Sequence, residues 1–253
     1  MSDAPVAIVT GAAGGIGRAI AARLRKDGHI VIGADLAAAG CDHDITTDIA
    51  DSASVDAMVA EAMARCGRID VLVNAAGIHM QKLVVETSDA EWDRIQAVNM
   101  RGPFMACRAA APHMMRAERG RIVNVVTRLN FGNPYSSAYM ASKNALWGFT
   151  QCLAMEMAAY GVTVNAVAPG HVGPGTGMEA AFRAKADKLG LSWEAFEAQV
   201  LRTIPVGRWC KPDDVAAAVA YIVSPEAAFV TAECINVTGG FVGYGTTPPK
   251  VQI

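Results

Sequence analysis

Charge is scarce in this sequence. Of its 253 residues only 18% are Asp, Glu, Lys or Arg, and the net charge is −2. That balance gives no electrostatic reason to expect nucleic acid or an anionic membrane surface as a partner. No stretch approaches the ~18 uninterrupted apolar residues that a membrane span needs. Residues 1–9 carry neither a basic segment nor a long apolar run, so no secretory leader is read there. Cysteine occurs six times, at Cys41, Cys66, Cys107, Cys152, Cys210 and Cys234, but never as C-x-x-C and never with histidine at ligand spacing. The reading is therefore buried thiols in a reducing cytoplasm, with no disulfide framework and no zinc site. His79, His113 and His171 suggest no metal site either. Internal repeats, low-complexity tracts and linkers are missing too, which leaves one domain over residues 1–253.

Apolar residues are plentiful, at 52%, as a sheet buried on both faces requires. Short β-branched runs alternate with helical patterns. Strands are predicted at 6–10, 29–34, 69–73, 121–126, 162–167 and 233–237. Helices are predicted at 16–26, at 52–66 with a serine cap, at 88–116 with a break near Gly102-Pro103, at 137–158 and at 213–223. Such alternation implies right-handed crossovers and a parallel sheet, an α/β doubly wound fold of Rossmann type flanked by helices. Two places depart from it. The twelve residues between Asp35 and Asp48 are too few for a normal helix plus strand. Residues 176–203 read as one or two helices serving no sheet connection, which makes them the candidate substrate lid.

The first strand runs straight into Thr10-Gly11-Ala12-Ala13-Gly14-Gly15-Ile16-Gly17 and then a helix. Glycines there let backbone approach a pyrophosphate, which sits where the unpaired N–H groups of a helix N-terminus point outward. Asp35 ends the second strand, where an acid can hold the adenosine ribose hydroxyls. Tyr139 and Lys143 are four apart on a predicted helix and share a face. An ammonium so placed favours phenolate and brings the tyrosine down from ~10 toward proton transfer at neutral pH.

The T-G-x-x-x-G-x-G spacing resembles the nucleotide motif of the short-chain dehydrogenase/reductase family, in its ~250-residue branch. The resemblance continues through Asn74-Ala75-Ala76-Gly77, Asn99 in the long helix, Y-x-x-x-K at Tyr139 and Lys143, and Pro169-Gly170. Gly207-Arg208, residues 212–216 and Gly239-Gly240 extend it to the end of the chain. It implies that Tyr139 is the general acid/base, that Lys143 tunes it and holds the nicotinamide ribose, and that Asn99 continues a proton relay through its carbonyl and a water. Where the family keeps a serine, thirteen residues before the tyrosine, this chain has Val126. Thr127 follows it, read as a stand-in hydroxyl after a one-residue loop deletion or as a mere strand-end residue. Dinucleotide contacts are implied for Gly11, Ala13, Gly14, Gly15, Ile16, Gly17, Asp35 and Leu36. They are implied also for Asp48, Ile49, the 74–77 segment, Tyr139, Lys143, Pro169, Gly170, Val172 and Thr176. Thr176 would replace a threonine that the family pattern places at 174, where this chain has proline.

The cofactor expected is NAD, because the 2′-phosphate of NADP would meet the carboxylate of Asp35. His79, Arg128, Asn130, Tyr135 and His171 fall on loops that, by resemblance, border the substrate cleft. So polar a set favours a small polyol, sugar or hydroxy acid over a steroid. The function implied is a dehydrogenase/reductase acting on a secondary alcohol and its ketone. The alternatives are an NADPH-dependent 3-oxoacyl-thioester reductase and a non-catalytic dinucleotide sensor, the latter opposed by the intact Tyr/Lys pair. A homotetramer or dimer is implied as well, with Met105, Ala109, Leu146, Phe149 and Leu153 facing partner helices.

Overall fold

The computed structural model describes residues 3–128, 135–173, 176 and 178–241. Every residue of its first strand, β1 (Val6–Thr10), is buried. A strand can be so only if both faces of its sheet are covered. Its side chains divide by parity: Val6 and Ile8 enter one apolar cluster, Ala7 and Val9 another on the opposite face. Around it stand β2 (Ile30–Asp35), β3 (His43–Thr46), β4 (Val71–Asn74), β5 (Gly120–Val125), β6 (Val162–Pro169) and β7 (Cys234–Val237). The seven form one sheet in the order β3-β2-β1-β4-β5-β6-β7, and every pairing is parallel. Ile8, Ile32, Leu72 and Ile122 form one layer of the first cluster, each fully shielded from solvent. Burial of each contributes roughly 1.5–3 kcal/mol, more than any single surface contact can supply.

The helices that cover these faces begin and end where the sequence punctuates them. On one face lie α1 (Gly15–Lys26) and α8 (Pro212–Val223), packed together. On the other lie α2 (Ser52–Cys66), α4 (Gly102–Arg116) and α5 (Ser137–Met157). The cap of α2 is Asp51 rather than a serine, its carboxylate accepting from the N–H groups of Ala53 and Ser54. Ser88 and Glu91 close a capping box on α3 (Asp89–Gln96). The expected break before Gly102-Pro103 takes the form of a single π turn over Ala97–Arg101, a wide turn common at functional sites. It contains Asn99.

The crossover from β2 to β3 has no room for both a helix and a strand, as expected. No helix forms in it, but a strand does. β3 starts opposite Ile32, so a loop over residues 36–42 covers the return. Asp42 and Asp44 hold that loop by accepting from the N–H groups of Val31 and Gly40, each at 2.9 Å. Residues 176–203 yield α6 (Glu179–Lys188) and α7 (Trp193–Leu201), outside the sheet connections as expected. Met105, Leu146 and Leu153 prove to be buried in the chain's own core. On α4 and α5 the large apolar side chains left outermost are Phe104 and Met155.

Candidate active site

The carboxyl ends of β1, β2, β4, β5 and β6 surround one cavity of about 850 Å³. It opens where the strand order reverses beside β1, the place where open α/β sheets bind ligands. Its size lies near the upper end of the ~300–1,000 Å³ range of cofactor sites.

The glycine turn is fixed from three sides. The Gly11 N–H donates to the Ala34 carbonyl at 2.8 Å, and the Thr10 hydroxyl oxygen accepts from the N–H groups of Ala75 and Ala76, each at 3.2 Å. Asp35 accepts from the Ala13 N–H at 3.0 Å and from the Leu36 N–H at 2.7 Å. At Gly11 φ is +69°, and a β-carbon there would stand 2.7 Å from Ala76 Cα. At Gly17 a β-carbon would fall 2.1 Å from the Gly11 carbonyl oxygen, which is backbone and cannot yield. Gly17→Ala should therefore cost roughly 1–3 kcal/mol, read as a drop of several degrees in melting temperature. An unchanged melting temperature would contradict this packing of helix on turn. Gly14 and Gly15 remain exposed over the cavity, and Thr176 lies across Gly15, its Cβ 3.4 Å from where a glycine β-carbon would be. Open backbone at a helix N-terminus with a carboxylate beyond it fits a dinucleotide.

Across the sheet edge, Tyr139, Lys143, Thr127 and Asn99 come together. Lys143 is buried and donates from Nζ to the Val125 carbonyl at 2.8 Å. Burial pulls its ammonium down to about 8. Tyr139 shifts opposite to the sequence expectation: burial raises the phenol above its ordinary value, while a hydrogen bond with the Thr127 side chain opposes the rise. Desolvation of the phenolate is the larger of these two influences, and Lys143, whose Nζ is turned to Val125, is not among the groups that shift the phenol. Asn99 is fully buried. Its Nδ2 donates to the Ile78 carbonyl at 2.9 Å and the Ser142 hydroxyl at 3.1 Å, and its Oδ1 accepts from the Ile78 N–H at 2.9 Å. A β-carbon at Gly77 would lie 3.3 Å from Asn99 Oδ1 and 3.4 Å from Lys143 Nζ, so the bare backbone of Gly77 leaves that floor open. Phenol, hydroxyl and buried ammonium so arranged can hold and move a proton at a substrate oxygen.

Beyond Tyr139 the wall changes character. His79 meets the Tyr139 ring edge-on, centroids 4.6 Å apart, and burial lowers its pKa. His171 stands against Phe241 at 4.7 Å and Phe182 at 6.0 Å; burial first, then the charges of Lys185 and Arg128, pull it to about 4. Both imidazoles are therefore neutral near pH 7. The segment of α6 and α7 closes this end with Phe182, Leu189, Phe196 and Val200. The cleft is thus far more apolar than its loop residues suggested.

Of the residues expected on the cavity, His79, Arg128 and His171 line it, as do Asp35, Leu36, Asp48, Ile49, Val172 and Thr176. Ala13 and Asn74 do not. Ala13 serves as the clamp on Asp35, and Asn74 turns behind the wall, donating to Asn124 Oδ1 at 2.8 Å within a buried network that continues to Thr150. Tyr135 does not reach the wall either: its φ of +68° turns the ring to solvent while its carbonyl accepts from the Lys82 N–H. Asn130 lies outside the described residues. Sequence reasoning missed Thr47, Arg94, Lys185 and Phe241 on the wall. Phe241 had a usable signal, the Gly239-Gly240 turn immediately before it. Among the described residues no cluster of His, Cys, Asp or Glu could hold a metal ion, and no helix is long and apolar enough to cross a membrane.

A family profile described as enoyl-(acyl carrier protein) reductase matches residues 11–242. The chain is 38% identical over 253 residues to the short-chain reductase protein NovJ of Streptomyces niveus, with 95% of each chain covered. To the 3-oxoacyl-(acyl-carrier-protein) reductase FabG of Staphylococcus aureus it is 34% identical over 249 residues, covering 92% of this chain and 96% of that protein. A solved structure of an actinorhodin polyketide ketoreductase variant with NADPH superposes with a TM-score of 0.89 at 36% identity, over 94% of this chain and 97% of that one.

Proposed function

The chain belongs to the short-chain dehydrogenase/reductase family, and from that premise we propose that it interconverts a secondary alcohol and its ketone with NAD as the preferred dinucleotide. A dinucleotide held by its pyrophosphate at the glycine turn and by its nicotinamide ribose at Lys143 would supply or accept the hydride. The protein's own work is position and proton. Tyr139 gives a proton to the carbonyl oxygen in reduction and takes it back in oxidation. Thr127 donates to the same oxygen and steadies the charge that develops on it. Lys143 holds the ribose hydroxyls, and Asn99 continues the relay. Asp35 and Leu36 meet the adenosine ribose, with Asp48 and Ile49 beside the adenine. Thr176 lies over the pyrophosphate, and residues 176–203 act as the lid. Such a protein would work in the cytoplasm as a homotetramer or dimer, the outward Phe104 and Met155 with half-buried Phe149 carrying the interface reading.

The observation that carries the NAD preference is the placement of Asp35. Its carboxylate is held beside the turn by the Ala13 and Leu36 N–H groups. Arg18, on the first turn of α1, is engaged with the Ala13 carbonyl at 2.8 Å. Two like charges at ~4 Å cost about 4 kcal/mol at the effective dielectric of a protein surface. About a hundredfold preference for NAD is within that reach. Comparing kcat/KM for both dinucleotides tests it, and Asp35→Ala should narrow the gap at least about tenfold. Equal efficiency in the parent protein would sink the assignment. The second reading, an NADPH-dependent reductase of 3-oxoacyl thioesters, draws on the FabG relative and on the NADPH of the ketoreductase structure. The apolar lid end suits an acyl chain, and Asp35 opposes the cofactor.

A further inference from the structure

The two ends of the cavity differ in charge. The carboxylates on its wall, Asp35 and Asp48, both stand at the adenosine end, at the close of β2 and just past β3. The other end carries Arg94, Arg128 and Lys185 on its wall and no described carboxylate. Arg128 reaches it from the loop after β5 and Lys185 from α6, and both bear on the same buried His171. Two acids of the lid are turned to other work: Glu179 pairs with Arg183 at 2.9 Å, and Glu197 accepts from Trp209 Nε1 at 2.6 Å. Beside the cations stand flat apolar surfaces: the Arg128 guanidinium lies 4.3 Å from the Phe241 ring centroid, and both Phe241 and Phe182 meet His171.

We propose that the substrate is a hydroxy or oxo acid whose carboxylate is held by Arg128 and Lys185 while an aromatic or similarly flat apolar body packs against Phe241 and Phe182. Both cations bear on one buried imidazole on the same wall, and an entering carboxylate would gain charge-assisted hydrogen bonds from them. A neutral polyol or sugar would gain less and would set hydroxyls against phenylalanine rings. The inference rests on the dehydrogenase reading and narrows its substrate class.

The test is a calorimetric titration of benzoate and benzamide into the protein saturated with NAD. The two probes share a ring and differ in charge. Benzoate should bind about tenfold tighter or better, and Lys185→Gln or Arg128→Gln should reduce that ratio to below about threefold. Equal binding, tighter benzamide, or a ratio untouched in both variants would overturn the inference while leaving the dehydrogenase reading in place. Failure of NAD itself to bind in the first titration would remove that reading and the inference with it.

Discussion

Tyr139→Phe should abolish turnover while NAD still binds. The substitution removes one hydroxyl and keeps the ring that meets His79 edge-on, so the fold and the cavity shape persist. What is lost is the proton-transfer group, a factor of 10² to 10⁴ or about that scale, and more where no water can substitute. Burial raises this phenol, so it keeps its proton through the neutral range. Reduction, which consumes that proton, should then be insensitive to pH near 7. Oxidation must place a proton on the same oxygen and pass it out, so its rate should rise with pH. Lys143, pulled to about 8, loses its charge over the same range, and contact with ribose hydroxyls would replace part of what it now gives to Val125. In the phenylalanine variant the residual rate should show no such rise. Steady-state rates in both directions across pH check this, with cofactor affinity measured separately by titration. Near-normal turnover in the variant would remove the mechanism.

What could be read from residues alone followed period and punctuation. The strand at 6–10 and the helix at 52–66 were legible to the residue, because a continuous apolar run and an uninterrupted 3.6-residue pattern each admit one solution. The strand His43–Thr46 was not, since HDIT has one buried residue, Ile45, and no alternation to reveal it. It exists because β2 offers an unpaired edge. The cavity's nucleotide half was legible in Gly11, Gly15, Gly17 and Asp35, where backbone geometry demands particular residue types. In its other half His79, Arg128 and His171 were foreseen on the wall and the apolar side chains were not. Phe182, Lys185 and Phe196 come from helices without a motif, and Phe241 arrives from beyond the last strand; only the folded chain places them beside His171. The same limit explains the tyrosine. Spacing put Lys143 on its face of the helix, but no spacing could tell that the ammonium is turned to Val125.

Thr127→Ala should cost about a hundredfold in turnover, on the scale of one lost oxyanion donor. Position alone left this residue between two readings, a stand-in for the family's serine or a strand-end side chain. Its side chain bears on the Tyr139 phenol and lowers it against burial, which supports the first. Ser136 is buried away from the cavity wall and Ser137 opens α5 on an exposed face, so neither is as well placed. A donor to the substrate oxygen matters more as charge develops than in the ground state, so the loss should fall on kcat rather than KM. Removing the hydroxyl also leaves burial as the main influence on the phenol, which should then titrate higher still and move the oxidative pH profile upward. Thr127→Ser keeps the hydroxyl, drops a methyl group and frees χ1, and should retain or raise activity. Single-turnover hydride transfer in the three proteins separates these effects from product release. An alanine variant that matches the parent in that measurement would move the role to another group, and Tyr139 and Lys143 would stand without it.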